Sequence, residues 1–245
     1  MSPDANDDDT NDYDTNELGQ PIGVPVDDWE PRPQPPRGGM AGRFCRVEPL
    51  DPEHHAAELH AANSEDREGR MWTYLPFGPY PDLAAYVAAC RAAAASRERL
   101  TYAIVDSATD KAVGVASYLN IKPASGSIEV GALAYSLALQ RRPASTEAMF
   151  LMMRRVFDEL GYRRYEWKCN SLNAPSRAAA ERLGFRFEGI FRQAEVVKGR
   201  NRDTAWFAIT DGDWPGLKDA FLRWLAPENF DALGQQRVSL SSMTG

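Results

Sequence analysis

The sequence predicts an α/β domain, a central sheet flanked by helices, with one further helix at its C-terminal end. Three observations carry this. Strand and helix patterns follow one another as β-α-α-β-β-β-α-β-α-β-β before the last helix. Two pairs of strand patterns stand close enough to form hairpins, and one helix near the middle is strongly amphipathic.

Residues 44–50 alternate like an edge strand, and Asp51-Pro52 opens a helix to about Ala62. Leu83, Tyr86, Val87 and Cys90 recur at helical spacing after Pro81. Residues 101–106 and 113–121 read as a hairpin around 107–110, and 127–139 as the next strand. A short polar loop, 140–145, leads to the clearest helix. Met149, Met152, Met153, Val156, Phe157 and Leu160 line its apolar face, Arg154, Arg155, Asp158 and Glu159 its polar one, and Gly161 stops it. Residues 162–169 form a strand. Asn173 can cap the following helix, with Pro175 in its first turn and Gly184 at its end. Residues 185–197 and 203–210 read as a hairpin joined by 198–202. Leu217, Phe221, Trp224 and Leu225 mark the final helix, begun by Asp213 and Pro215.

A chain of 245 residues, 43% hydrophobic, can bury one good core or two small ones. Its net charge of −7 is unevenly placed, because residues 1–40 hold ten acidic residues and two arginines. The rest is close to neutral and gives no broad basic field for nucleic acid. Residues 1–40, acidic and proline-rich, bury too little to offset ordering entropy and are expected to be mostly disordered. Within them, 24–37, with Trp29 among prolines, reads as a segment extended along the domain. The domain is expected over 41–226, and 227–245 as a loosely held polar tail. No secretory pattern is present, and no apolar segment approaches the ~18–20 residues of a membrane span. Three widely spaced cysteines, Cys45, Cys90 and Cys169, suit reduced thiols in a cytoplasmic protein. His54, His55 and His60 share no helix face and read as surface residues, so no metal is expected.

The stretch 127–185 joins strand, polar loop, amphipathic helix, strand and an Asn173-Ala-Pro-Ser176 helix closing at Arg182-Leu-Gly-Phe185. In order and spacing it resembles the GNAT superfamily of N-acetyltransferases. The Asn-x-x-Ser ending followed by Arg-Leu-Gly-Phe is most similar to the branch that includes ribosomal-protein N-acetyltransferases. The likeness covers roughly 43–211. It implies a mixed, mostly antiparallel sheet of about seven strands with an extra C-terminal helix. It also implies acetyl-CoA as co-substrate and a primary amine as acceptor, first a protein or peptide α-amine. Alternatives are a small-molecule amine (polyamine, amino acid or aminoglycoside) and a non-catalytic acyl-CoA sensor.

A loop feeding a helix start suits a pyrophosphate, because free N–H groups and the helix dipole converge on the anion. The family's loop runs Q/R-x-x-G-x-G/A. Gln140 fits its first position, Pro143 replaces the first glycine, and Ser145 the second small residue. The donors left are the N–H groups of Arg142, Ala144, Ser145 and Thr146, the Ser145 and Thr146 hydroxyls, and the Arg141 or Arg142 guanidinium. Taken alone, such a loop reads rather as a solvated connection with two surface arginines. The resemblance further implies main-chain contacts from Leu133, Ala134 and Tyr135 to the pantetheine arm, with an oxyanion donor near Ala134 or Tyr135.

Glu129, two residues before Gly131 on the same strand, is the candidate base; otherwise it is a structural glutamate. Where many members carry a thiolate-protonating tyrosine, seven residues after the capping asparagine, this chain has Ala180. Ser176 could then bond the sulfur or the arm, though it is a weak acid. Asn173 serves as cap and cofactor contact, or as cap alone. The connection 71–80 borders the acceptor in that family, and Trp72, Tyr74 and Phe77 are its candidate wall or a hydrophobic plug. The basic turn 198–202 touches an acidic acceptor or the ribosome, or is simply solvated. Oligomeric state is not legible, since the last helix can pack within the monomer or against another copy.

Overall fold

The computed structural model describes residues 13–244; the acidic run 1–12 of the expected disordered tail lies outside them. Contacts divide the chain into Met1–Pro31 and Arg32–Gly245. In the first unit β1 (Tyr13–Thr15) and β2 (Pro21–Gly23) pair antiparallel. Asn16 Oδ1 holds their turn, accepting from the N–H groups of Leu18 and Gln20.

The boundary expected at 40/41 therefore falls at 31/32. Residues 32–40 run across the second unit and give their carbonyls to side chains, because a proline-rich segment has few N–H groups of its own. The Tyr162 and Tyr102 hydroxyls donate to the Pro33 and Pro36 carbonyls, and Arg37 donates to those of Ala94 and Ser96.

The second unit opens with β3 (Met40–Ala41), β4 (Cys45–Pro49), α1 (Pro52–Ser64) and α2 (Leu83–Ala95). Asp51 and Asp82 cap the two helices by accepting from the N–H groups of Glu53 and Ala85. A 3₁₀ turn at Arg70–Trp72 sits between them. Next come β5 (Leu100–Asp106), β6 (Lys111–Lys122), β7 (Ser127–Tyr135) and α3 (Pro143–Arg154). Then follow β8 (Arg164–Asn170), α4 (Ala174–Arg182), β9 (Arg186–Val197), β10 (Arg200–Thr210) and α5 (Trp214–Leu225).

The sheet has eight strands in the order β3-β4-β5-β6-β7-β8-β10-β9, and only β7 and β8 run parallel. The strand beyond the expected seven is β3, two residues long and too short to show a period.

Alternation along the strands separates two cores. Tyr102, Ile104, Ile128, Val130, Tyr165, Trp167 and Phe207 face α3, α4 and α5 in the larger one. Ala103, Val105 and Ala112 face α1 and α2 in the smaller, with Trp72 and Tyr86. The apolar stripe of α3 is buried as its periodicity predicts, and a π-helical turn, Arg155–Glu159, extends it.

The helix is also covered by α5, while Arg154 stays half-buried and Asp158 and Glu159 exposed. Phe150 stacks with Trp214 and Phe221 (ring centroids 6.1 and 5.4 Å), and Phe157 with Trp214 at 5.1 Å. The extra helix thus packs within the chain. Arg155, expected on the solvated face, is 6% exposed and donates to the carbonyls of Gly38 and Gly39. Residues 227–245, expected to be loose, carry the buried Phe230 and Leu240. Asn229 ties them back by donating to the Trp224 carbonyl and accepting from the Val238 N–H. His55 is likewise not a surface residue. It is buried, its Nδ1 accepts the Asp51 N–H, and its Nε2 lies 3.4 Å from Glu48.

Candidate active site

The strand expected over 127–139 ends at Tyr135, and 136–142 fold into turns that bury Leu139. Within β7 the register against β6 shifts between Gly131↔Ser117 and Ala134↔Val115, so three β7 residues oppose two steps of β6. Ala132 sits at φ 50°, a left-handed conformation costly for a residue with a Cβ. This bulge redirects the strand. The pairing of β7 with β8 stops at Val130↔Trp167, and Gly131 to Tyr135 have no β8 partner. A cleft therefore opens between the strands at the residues where the cofactor arm was expected. Leu133, Ala134 and Tyr135 lie on its edge. Ala134 is nearly buried and touches both cores, and the Tyr135 phenol is pushed to higher pKa by burial.

The start of α3 lies beyond the end of β7. Pro143 is its first residue, where a missing N–H breaks no helical bond, so the proline fits. Arg142 is the N-cap and gives no side-chain capping bond. Arg141, at φ 58°, and Arg142 are exposed. Among the described residues, the N–H groups of Arg141 and Ala144 make no main-chain hydrogen bond.

Other expected donors are already engaged. The Arg142 N–H donates to the Leu139 carbonyl, and the Ser145 N–H and hydroxyl both donate to the Arg142 carbonyl. The Thr146 hydroxyl is buried and accepts from Arg182 at 3.0 Å. Gln140 Nε2 donates to the Tyr135 carbonyl at 2.8 Å, so this residue latches the loop onto the strand. What remains for an anion is a cationic, uncapped helix start with unpaired N–H groups. That arrangement fits a pyrophosphate.

Glu129 stands on the sheet face away from the larger core and is 6% exposed. Its Oε2 accepts from Asn120 Nδ2 at 2.6 Å and from Lys168 Nζ at 2.9 Å. Lys168 also bonds Glu166 at 2.9 Å and lies 3.8 Å from the centroid of the Trp206 ring. Burial pushes the Glu166 carboxyl up, but Arg164 and Lys168 outweigh it and hold its pKa below the usual range. Glu129 is thus one end of a line of charges from Glu188 through Arg164, Glu166 and Lys168. No run of sequence showed that line, because its members come from three strands.

Asn173 caps α4, its Oδ1 accepting the Ser176 N–H at 3.2 Å. Ser176 Oγ accepts from Trp167 Nε1 at 3.0 Å. Ala180 is fully buried, with no room for a larger side chain unless the core moves.

The aromatic connection splits. Trp72 is 6% exposed and packs edge-on against Phe77 and Tyr80, so most of its ring lies in the smaller core. A Cβ at Gly78 would strike that ring, and the glycine sits at φ 63°. Tyr74 and Phe77 are half-buried. The turn 198–202 is not merely solvated, since Lys198 Nζ donates to the Trp72 carbonyl at 2.8 Å. That bond ties the β9–β10 turn to the aromatic connection.

The sequence missed Glu147. This carboxylate in the first turns of α3 is buried and accepts from the N–H groups of Arg43, Phe44 and Cys45, at 2.6–2.9 Å. Its signal was an acidic residue inside an apolar helix stripe, opposite a glycine, Gly42, whose missing Cβ makes room for it.

A strand that parts from its parallel neighbour at a bulge, followed by an uncapped helix start, makes an arrangement that fits an extended cofactor carrying a pyrophosphate. Residues 46–186 match the family described as Acetyltransferase (GNAT) domain. A GCN5-related N-acetyltransferase from Brucella melitensis is 49% identical, covering 89% of this chain and 99% of that one, with a TM-score of 0.87. A probable acetyltransferase of the GNAT family from Chromobacterium violaceum is 39% identical over 80% of this chain and 98% of its own (TM-score 0.74). The uncharacterized N-acetyltransferase p20 of Bacillus licheniformis is 27% identical over 117 residues, 47% of this chain and 64% of that relative. The chain belongs to the GNAT family of acetyl-CoA-dependent N-acetyltransferases. Among the described residues no helix is long and apolar enough to cross a membrane, and no group of three or more His, Cys, Asp or Glu could hold a metal.

Proposed function

We propose that this chain transfers acetyl from acetyl-CoA directly to a primary amine, and that the amine is the α-amine of a peptide or protein. The observation that carries the reading is the pairing of the β7–β8 opening with the uncapped start of α3. Acetyl-CoA supplies the activated thioester carbonyl; the amine nitrogen bonds that carbon, the C–S bond breaks, and the amine proton must leave.

Arg141, Arg142 and the N–H groups of Arg141 and Ala144 hold the diphosphate. The main chain of Leu133, Ala134 and Tyr135 holds the arm, and an N–H near Ala134 or Tyr135 faces the oxyanion. Glu129 takes the amine proton, directly or through water. Lys168 and Asn120 occupy only its Oε2, and Oε1 lies toward Gly131. Ser176 and Asn173 are engaged with Trp167 and with the α4 cap, so their part is to fix the end of β8 beside the opening. Tyr74 and Phe77 border the acceptor. Three buried, unpaired thiols favour a reducing compartment such as the cytoplasm.

A second reading, a non-catalytic acyl-CoA sensor, is favoured by one observation: Ala180 is sealed in the core and the hydroxyl of the half-buried Tyr135 is closed to solvent, so neither position offers a proton to a thiolate. An acceptor panel with acetyl-CoA, read by mass spectrometry, decides between them. The expected result is acetylated peptide N-termini, and CoA binding with no acetylated product on any amine would favour the sensor. Glu129→Gln should lower kcat roughly a hundredfold near neutral pH, with a smaller loss at high pH where the amine is already neutral. A pH–rate profile matching wild type would remove the base assignment.

A further inference from the structure

Along β10, Arg202, Thr204 and Trp206 point to one face of the sheet, while Ala205, Phe207 and Ile209 point to the larger core. Arg202 Nε, Thr204 Oγ1 and Trp206 Nε1 are buried there and have no hydrogen-bond partner among the described residues. Thr204 itself is 3% exposed. Buried polar atoms are nearly always paired, so three orphans in a row on one strand face ask for an occupant.

Their position says which. Trp206 stands opposite Lys168, whose ammonium lies over the indole and bonds Glu129. Thr204 stands opposite Asn170, the last β8 residue, beyond the point where β7 and β8 have parted. The strip is therefore on the Glu129 side of the sheet, one strand from the opening. The Lys198–Trp72 bond ties the end of the same hairpin to the aromatic connection.

We infer that Arg202, Thr204 and Trp206 select the acceptor by hydrogen-bonding the main-chain carbonyl oxygens that follow its α-amine. This rests on the acetyltransferase reading and sharpens it. The guanidinium and indole N–H groups can only donate, and the hydroxyl can do so too. A protonated polyamine offers donors alone: it can give one to the Thr204 hydroxyl oxygen but leaves the Arg202 and Trp206 N–H groups unpaired. An extended peptide offers acceptors, and its same-side carbonyls repeat about every 6.8 Å, the period at which a strand repeats its side chains. The three atoms are closed to solvent in this conformation. The exposed ring of Phe191, 4.5 Å from that of Trp206, is the side chain that an entering peptide moves aside.

The test uses the full chain and two variants, the near-isosteric Thr204→Val and Trp206→Phe, which removes the indole N–H together with part of the ring. Acceptors are a tetrapeptide amide with a free N-terminus, spermidine and n-butylamine. Wild type should prefer the peptide, and each variant should lower the ratio of kcat/KM for peptide over butylamine about tenfold, mainly through KM. Melting temperature should hold or rise in Thr204→Val and fall modestly in Trp206→Phe, which loses ring packing, and CoA affinity by calorimetry should stay as in wild type. An unchanged ratio in both variants, or a wild-type preference for spermidine, overturns the proposal. If wild type acetylates no amine, the transferase reading fails separately. Calorimetry of the tetrapeptide amide with the CoA-loaded protein then reads the strip alone: binding weakened in Thr204→Val supports it, and absence of peptide binding to wild type overturns it.

Discussion

The helices α3 and α4 both begin beside the β7–β8 opening and both carry proline in their first turn, yet their starts are built in opposite ways. At α4, Asn173 accepts the Ser176 N–H and closes the end. At α3 the cap position holds Arg142, whose side chain makes no capping bond and whose charge adds to the positive end of the helix dipole. Taken as an isolated helix, the second arrangement is the poorer one, since a cationic cap forgoes the stabilisation that Asn, Asp or Ser would give. A helix start left this way makes sense where an external anion completes it. The closed start serves the fold, and the open one serves a ligand.

The difference is open to direct attack. The largest effect is expected from Arg142→Asp, which gives α3 a cap of the α4 kind and reverses the charge. CoA affinity should fall about thirtyfold, on the order of 2 kcal/mol, while the melting temperature holds or rises. Calorimetry and thermal unfolding read the two together, and unaltered affinity would detach the α3 start from the diphosphate. Raising salt from low to near-molar concentration should weaken CoA binding several-fold, because exposed guanidinium groups are screened. Next, Asn173→Ala should lower stability by about 1 kcal/mol and leave CoA affinity within a few-fold. A collapse of affinity would give Asn173 a ligand role beyond its cap. The smallest effect belongs to Pro143→Gly. Restoring an N–H should strengthen CoA binding by up to about 1 kcal/mol, and losing the fixed φ should reduce stability by about the same amount. A loss of affinity would mean that the proline's rigidity, not a missing donor, governs the loop.

Much of this arrangement was legible in the residues. The stripe of α3, the Asn173 cap, the hairpins and the chain order all follow from local periodicity and local hydrogen-bonding chemistry, which act over a few residues. What escaped was set by partners distant in the chain. Arg155 reads as a polar-face position and Glu147 draws no notice until 32–45 are wrapped around α3. Glu129 could be placed on a strand face, but not paired with Lys168, nearly forty residues on. Trp72 read as a wall or a plug, because aromatic composition does not say which side of a ring is covered. The bulge at Ala132 left no mark, since alanine is ordinary in a strand and its left-handed φ is imposed by the strands on either side.

That single residue has a consequence for how such a cleft could arise or be lost. Before it, even-numbered side chains such as Ile128 and Val130 face the large core; after it, Leu133 and Tyr135 do. Removing Ala132 would bring β6 and β7 back into step, and β7 could then zip along β8 past Val130. The pocket's existence depends on an odd member in the count, so a three-nucleotide deletion would be enough to seal it.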